Sequence, residues 1–119
     1  MGEGHDSQLL KGVLSLVLLR LLAESESYGY ELVLRVHEIG LTDVQDGSVY
    51  PALARLEREG SITSRLVPSG LGAARKYYRL STDGYSALRR LESAWMTLDQ
   101  ALQRLQARPM SPEAREASA

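Results

Sequence analysis

The positions of apolar residues along the chain predict four helices and one hairpin. Residues 9–23 are apolar on more than one face, which indicates a first helix that is buried on two sides, in part against a partner. Residues 28–39 place apolar side chains three and four positions apart, the pattern of an amphipathic helix, and Gly40 follows as a helix stop. Ser27 is the candidate N-cap of this second helix, because its hydroxyl can accept a backbone N–H.

A third helix ends at Gly60, and its start has two alternatives. If Asp46 were the N-cap, Pro51 would lie deep enough in the helix to remove a backbone hydrogen bond. If Ser48 is the N-cap, Pro51 falls within the first turn, where its missing N–H costs nothing. We therefore expect the helix to begin near Ser48, after a looser turn.

Two strands and a long helix complete the pattern. Residues 62–67 and 75–80 predict a hairpin with a glycine-containing tip at 68–74. Alternation in the second strand places Tyr78 and Leu80 on one face, and we expect both in the core. Ser81 is a suitable N-cap for a final helix that runs to about Gln106.

The final helix carries one narrow apolar stripe. Its apolar residues are spaced 3, 4, 3, 4 and 3 apart, as in the seam of a coiled coil. A domain this small cannot cover so long a helix, so the stripe predicts pairing with a second copy of the chain. The alternative is that it packs on the first helix of the same chain. The predicted interface residues are Leu88, Leu91, Trp95, Leu98, Leu102 and Leu105.

The order of these elements predicts a mainly α protein with a small β-hairpin. Residues 8–81 form a winged helix-turn-helix, and residues 82–107 form a long C-terminal dimerisation helix. Residues 1–7 and 108–119 are polar or glycine-rich, and we expect both to be disordered. The helix that leads straight into a basic hairpin matters most, because such a helix can enter a DNA major groove while the hairpin reaches the neighbouring backbone.

Composition narrows the class further. The absence of cysteine excludes disulfides and thiolate metal sites. No apolar run approaches the roughly 18 residues of a membrane span, so we expect no membrane partner and a cytoplasmic location. A net charge of −1 argues against nucleic acid, but residues 46–79 contain six basic and three acidic groups, a net charge of +3. The positive charge therefore lies in the segment expected to bind DNA.

Enzymatic motifs are lacking in the sequence. There is no Ser-His-Asp order, glycine-rich phosphate loop or paired-acid site. His5 and His37 are far apart and have no carboxylates at ligand spacing. We therefore expect no catalysis, no metal and no cofactor.

Three motifs at fixed spacing resemble the PadR-like transcriptional regulators. They are SYGYEL at 27–32, GSVYPALARLE at 47–57 and RKYYRLS at 75–81, and the resemblance extends over residues 9–105. The single C-terminal helix is similar to that of the short subfamily, and Tyr28 stands where many members have His. The resemblance implies a homodimeric bacterial repressor that binds a palindromic operator and is released by a small molecule.

The front of the third helix and the second wing strand hold the candidate DNA contacts. Tyr50 can donate its hydroxyl to a phosphate or a base edge, and Pro51 can contact a thymine methyl. The alternative is that Tyr50 packs between the second and third helices, and that Lys76 belongs to a solvated hairpin. The predicted DNA-contacting residues are Tyr28, Tyr30, Ser48, Tyr50, Pro51, Arg55, Arg75 and Lys76.

Trp95, the only tryptophan, is a candidate effector contact. Two copies facing each other across a dimer would form a slot for a planar aromatic or cationic molecule, and Asp99, one turn on, could neutralise a cation. Gly12 and Leu16 are the expected opposite wall. A tryptophan at this place is similar to that of the multidrug-responsive members of the short subfamily; the alternative is plain dimer packing.

A second class of function fits the same pattern. The chain could be a helical protein–protein interaction module without DNA binding, whose stripe binds another protein and whose hairpin is only structural.

Overall fold

The computed structural model describes residues 7–118 of the chain, with side chains from Leu9 onward. Residues 1–6 and 119, which belong to the two segments expected to be disordered, lie outside the described residues. The described elements are α1 Ser7–Glu24, β1 Ser27–Tyr28, α2 Gly29–Glu38, α3 Asp46–Arg58, β2 Ile62–Val67, β3 Arg75–Leu80, α4 Thr82–Gln106 and α5 Pro112–Ser118. Ser7, at the end of the first of those segments, is the first residue of α1.

The chain divides into two compact units between Arg89 and Arg90, within α4. The first unit contains the winged helix-turn-helix together with the first two turns of α4. Those turns place Gly84, Ala87 and Leu88 among its buried residues. Arg90 to the C-terminus, with the rest of α4 and α5, forms the second unit.

Helix α1 is the centre of the first unit's core. Leu18 and Leu19 are both fully buried, although consecutive helical residues point about 100° apart. A helix can bury both only when neighbours cover more than one of its faces, as the apolar pattern predicted. The same core includes Leu32, Val36, Val49, Leu53 and Ile62, each less than 2% exposed.

Three antiparallel strands form the wing in the order β1-β3-β2. The hairpin of β2 and β3 was predicted, with Ile62 opposite Leu80 and Val67 opposite Arg75. Tyr78 and Leu80 are buried, which confirms their place in the core. The two-residue strand β1 was not predicted, because two residues are too few to produce an alternating pattern.

Strand β1 changes the expected role of Ser27. The predicted N-cap bond is absent, since Tyr28 is the N-cap residue of α2 and makes no side-chain capping bond. Ser27 instead pairs with Tyr78 across the sheet, and its hydroxyl accepts a 2.6 Å hydrogen bond from the Arg35 guanidinium. The Ser27 hydroxyl thus accepts a hydrogen bond from Arg35 instead of capping α2.

Glycines end the two helices of the helix-turn-helix as predicted. Gly40 and Gly60 have φ of 105° and 84°, backbone conformations that other residues adopt only with strain. After Gly60 the chain closes with a 2.9 Å hydrogen bond from the Ser61 N–H to the Leu56 carbonyl, the bond of a Schellman motif. Ile39, expected on the apolar face of α2, is 57% exposed at the C-cap.

Helix α3 begins earlier than we expected. Its first residue is Asp46 rather than one near Ser48, because the backbone N–H groups of Ser48 and Val49 both bond to the Gln45 carbonyl, at 2.9 and 3.1 Å. Pro51 therefore lies inside the helix and removes a hydrogen bond to the Gly47 carbonyl. Gly47 is exposed, so water can bond to that carbonyl instead.

The start of α4 is bound tightly to the end of α3. Ser81 is the predicted N-cap, and its hydroxyl accepts a 3.0 Å bond from the Gly84 N–H while donating a 2.6 Å bond to the Gly60 carbonyl. The Ser61 carbonyl accepts from the Ser81 N–H at 3.1 Å. A Cβ on Gly84 would lie 2.0 Å from that Ser61 oxygen. The two backbones can approach this closely only because residue 84 has no side chain.

The C-terminal segment contains regular structure that the sequence did not predict. Residues 112–118, within the tail expected to be disordered, form helix α5. Ser111 accepts a 3.2 Å hydrogen bond from the Ala114 N–H, and Pro112 occupies the first helical position, where proline needs no donor. Low hydrophobicity suggested disorder, but these local capping signals favour a helical turn.

We expect Gly84→Ala to destabilise the protein. The added methyl must displace backbone, and such overpacking costs about 1–3 kcal/mol, against roughly 1 kcal/mol that alanine gains over glycine within a helix. Urea denaturation at one fixed protein concentration measures the change. Gly47→Ala is the matched control, because open space surrounds that glycine in α3. Equal stability of the two variants would contradict the close approach.

Candidate nucleic-acid interface

The N-terminus of α2, the front of α3 and strand β3 meet around an open cleft of about 430 Å³. Aromatic and basic side chains dominate its wall, which we call the tyrosine cleft. The lining residues are Tyr28, Gly29, Tyr30, Tyr50, Arg75, Lys76 and Tyr78. Five of the eight predicted DNA-contacting residues therefore lie together here, although they come from three separate segments of the sequence.

Tyr50 lies against the first residue of α2. A Cβ on Gly29 would be 2.3 Å from a Tyr50 ring carbon, so the ring occupies the space that a side chain would need. Tyr50 remains 43% exposed. The ring thus packs between α2 and α3, as the alternative reading of the sequence expected, while part of it faces solvent.

The environment of Tyr50 keeps its hydroxyl protonated. Partial burial raises the pKa of the phenol above its ordinary value, and the negative charge of Asp46 raises it further. A neutral phenol can donate a hydrogen bond to an anion. Tyr50 is therefore a donor over the whole physiological pH range.

Aromatic rings hold the cationic side chains of β3. The Arg75 guanidinium carbon lies 4.4 Å from the centroid of the Tyr28 ring, and Lys76 Nζ lies 5.5 Å from that of Tyr78. Tyr28 also meets Tyr77 edge to face, at 5.3 Å between centroids. These cation–π contacts favour conformations in which the two long side chains lie beside the cleft.

Lys76 also forms an ion pair with α3 that the sequence did not reveal. Lys76 Nζ lies 3.2 Å from a Glu57 carboxylate oxygen, and Glu57 also accepts a 2.5 Å bond from the Ser64 hydroxyl. The Ser64 hydrogen bond and then Lys76 lower the pKa of Glu57, and the bond to Glu57 raises the pKa of Lys76. The wing is thereby bound to α3, and part of the Lys76 charge is neutralised within the protein.

The other three predicted contacts lie on a different flank of α3. Ser48, Pro51 and Arg55 line a groove of about 330 Å³ between α3 and α1, which we call the α1/α3 groove. Its remaining walls are Lys11, Leu14, Gly47, Ala52 and Arg58. Arg55 donates a short hydrogen bond to the Ser15 hydroxyl and lies 3.8 Å from Glu59. Arg58, three residues after Arg55 in the same helix, lies in the same groove.

The predicted dimer stripe is largely exposed beyond Arg90. Trp95 is 40%, Leu98 50%, Leu102 41% and Leu105 56% exposed, and Leu91 is half-buried. Leu88 requires a correction: it is 6% exposed, because it belongs to the core of the first unit.

The predicted effector residues divide between the two units. Gly12, with open space around it, and the half-buried Leu16 lie on α1 in the first unit. Trp95 and Asp99 lie on α4 in the second unit, where Asp99 accepts a 3.0 Å hydrogen bond from Gln103.

The described residues form neither a metal site nor a membrane-spanning helix. No three His, Asp or Glu side chains of residues 9–118 are grouped so that they could hold a metal ion. His37 Nε2 lies 2.5 Å from the Val44 carbonyl oxygen, a contact that closes the turn between α2 and α3. His5 lies outside the described residues. In the part of the chain that the structure describes, no helix is long and apolar enough to cross a membrane.

Two helices joined by a short connector, a basic wing and a long following helix define a winged helix-turn-helix protein. Residues 18–92 match the model of the transcriptional regulator PadR-like family. The chain therefore belongs to that family and is a transcriptional regulator. The resemblance that its three motifs suggested is confirmed.

Solved structures of the same family are similar over most of the chain. A PadR-like transcriptional regulator from Bacillus cereus is 36% identical with a TM-score of 0.77, covering 87% of this chain and 100% of that one. A PadR family transcriptional regulator from Eggerthella lenta is 30% identical with a TM-score of 0.78, covering 86% and 88%. An uncharacterized protein from Lysinibacillus sphaericus is 29% identical over 91 residues, 75% of this chain and 84% of that protein.

Proposed function

We propose that this regulator binds a palindromic operator as a homodimer and represses transcription in the cytoplasm until a small molecule releases it. The observation that carries the DNA-binding part is the tyrosine cleft. It brings a protonated phenol, two cations and the N-terminus of a helix to one surface beside the front of α3.

The cleft has the chemistry of a phosphate site. No side chain caps the first backbone N–H groups of α2, so they are available to an anion at the positive end of the helix dipole. Tyr30 is 57% exposed beside them. Arg75 and Lys76 supply positive charge, and Tyr50 supplies a hydroxyl donor.

Helix α3 is then the element that enters the major groove. Its exposed front carries Ser48, Tyr50 and Pro51, which can reach base edges while the wing contacts the backbone. In a dimer with two-fold symmetry, the two α3 helices would read half-sites one helical turn apart, about 34 Å, so the operator would be an inverted repeat.

The alternative is a helical interaction module without DNA binding. Duplex affinity against salt concentration separates the two functions. A DNA-binding regulator displaces counterions and loses affinity steeply with salt, whereas an interaction module shows no duplex binding.

We expect Lys76→Ala to weaken binding to every duplex and to lower the salt slope by about one unit. Tyr50→Ala should weaken operator binding more than non-specific binding, because Tyr50 also faces bases. Fluorescence anisotropy with a labelled duplex over a salt series measures both effects.

Glu57→Gln is the matched control for the Lys76 variant. It keeps the shape of the side chain but removes the charge that pairs with Lys76, so affinity should rise. If Lys76→Ala and Tyr50→Ala both bind as the wild type does, with the fold intact by circular dichroism, DNA does not bind in the cleft.

The homodimer proposal is supported by the exposed apolar side chains of α4. An exposed row of large apolar side chains marks an interface, and the 3/4 spacing suits a second helix. The side chains of this row are Trp95, Leu98, Leu102 and Leu105, each 40–56% exposed.

We expect the double variant Leu98→Glu with Leu102→Glu to be monomeric. Each dimer would have to bury four carboxylates in an apolar seam, which costs several kcal/mol. Sedimentation velocity measures the assembly. Thr97→Glu with Gln100→Glu is the control, because it adds the same charge to exposed positions off the stripe. If the Leu98/Leu102 variant is still dimeric, the stripe of α4 is not the dimer interface.

The effector proposal rests on Trp95 and Asp99. An exposed indole with a carboxylate one turn away can stack on a flat molecule and neutralise a positive charge. A ligand releases DNA only if it binds two dimer shapes unequally. The proposed effector is therefore a planar, largely apolar cation.

We expect the planar aromatic cation proflavine to quench the single tryptophan at one molecule per dimer. Trp95→Ala should abolish proflavine binding and leave duplex affinity near normal. Because this variant has no tryptophan, its proflavine binding is measured by the fluorescence anisotropy of proflavine. Asp99→Asn should weaken proflavine binding but not that of an uncharged planar compound. If Trp95→Ala binds proflavine as strongly as the wild type does, Trp95 does not contact the effector and serves only in dimer packing.

A further inference from the structure

Helix α3 exposes two flanks, and only one of them faces the tyrosine cleft. Tyr50 and Glu57, seven residues apart, lie on the wing side. Pro51, Arg55 and Arg58 follow a 4 and 3 spacing and lie about 100° further round the helix, beside α1. The α1/α3 groove is thus a separate surface on a second flank of the same helix.

The α1/α3 groove has cations from two helices. Lys11 extends from α1, and Arg55 and Arg58 extend from α3. Arg55 is engaged with Ser15 and Glu59. Lys11 and Arg58 are exposed, and no acidic side chain of residues 9–118 pairs with either.

This arrangement differs from that of the tyrosine cleft. There, Lys76 is paired with Glu57 and must share its charge between that carboxylate and any bound anion. At the groove, Lys11 and Arg58 can neutralise an anion without the loss of an ion pair. The apolar side chains of Leu14, Pro51 and Ala52 also line the groove.

The backbone phosphates of duplex DNA are anions in a suitable position for this groove. A major groove is about 12 Å wide and has a row of phosphates on each side, and a helix with its side chains is about 10–12 Å across. A helix lying in the groove therefore turns one flank toward each strand. The flanks of α3 that carry the cleft and the groove are the two that would face those rows.

We infer that the α1/α3 groove binds backbone phosphates of the second DNA strand through Lys11 and Arg58. The inference rests on the proposed DNA binding and extends the interface onto α1. The cleft holds one strand and the groove holds the other, so α3 is fixed between them. Neither phosphate contact reads the base sequence. Together the two contacts set the depth and rotation of α3 in the major groove of the DNA.

The first test is the salt dependence of binding to a labelled 24-base-pair duplex. Each phosphate contact contributes about 0.9 to the slope of log affinity against log salt concentration. Lys11→Ala and Arg58→Ala should each lower the slope by about 1, and the double variant by about 2. Arg20→Ala is the control, since it removes an exposed cation from the same helix that is paired with Glu24 and lies half a turn round from Lys11. Its slope should equal that of the wild type.

The second test locates the contacts on each strand. A duplex selected by the wild-type protein from a random pool is ethylated at its phosphates, and the positions that block binding are mapped on both strands. Lys11→Ala and Arg58→Ala should lose interference on one strand only. Lys76→Ala should lose ethylation interference on the other strand, across the major groove.

Failure of this inference can be distinguished from failure of the proposed function. If the wild type shows no salt-dependent duplex binding, the proposed function and the inference fall together. If the wild type binds and Lys76→Ala lowers the slope, but Lys11→Ala and Arg58→Ala do not, only the second-strand contact is wrong. Loss of interference on the same strand for all three variants would also overturn it.

Discussion

One guanidinium group joins three parts of the fold that are separate in the sequence. Arg35, near the end of α2, donates a 2.7 Å bond to the Leu21 carbonyl, a 3.2 Å bond to that of Ser25 and a 2.6 Å bond to the Ser27 hydroxyl. A cation at the negative end of the α1 dipole is stabilising, and charged donors make the stronger hydrogen bonds. Ser27 in turn pairs with Tyr78 of β3. The end of α1, the connector and the wing are thus held by a side chain of α2, and α2 therefore starts directly beside the wing.

Much of this fold could be predicted from the sequence, because its elements have strong local signals. The glycines at 40 and 60 and the capping Ser81 marked helix boundaries within a residue or two, and alternation in β3 identified Tyr78 and Leu80 as core. Three of the errors come from interactions that an apolar pattern does not contain. Strand β1, the use of Ser27 and the early start of α3 are decided by partners distant in the chain or by backbone bonds. No local pattern of apolar residues records such bonds.

The candidate site was predictable in its residue types but not in its arrangement. Aromatic and basic residues in three motifs gave the predicted contacts, and five of them meet in the cleft. The sequence could not divide them between two flanks of α3, since that division depends on where α1 lies. It also could not pair Lys76 with Glu57, because nineteen positions separate the two in the chain. Gly29 had no predicted role, yet the Tyr50 ring fits only because that residue has no side chain.

The charge balance of the chain bears on how the proposed complex would form. A net charge of −1 provides almost no long-range attraction to DNA. Affinity must then come from short-range contacts, which need the cleft, the front of α3 and the groove to meet the duplex together. The ion pair between Lys76 and Glu57 and the hydrogen bond between Arg55 and Ser15 hold α3 to the wing and to α1, so one subunit presents these surfaces as a unit. In the proposed dimer, the remaining freedom would lie between the two subunits. A small change in their spacing would remove several contacts at once, and a dimer of nearly neutral chains would have no general electrostatic attraction to compensate for the loss.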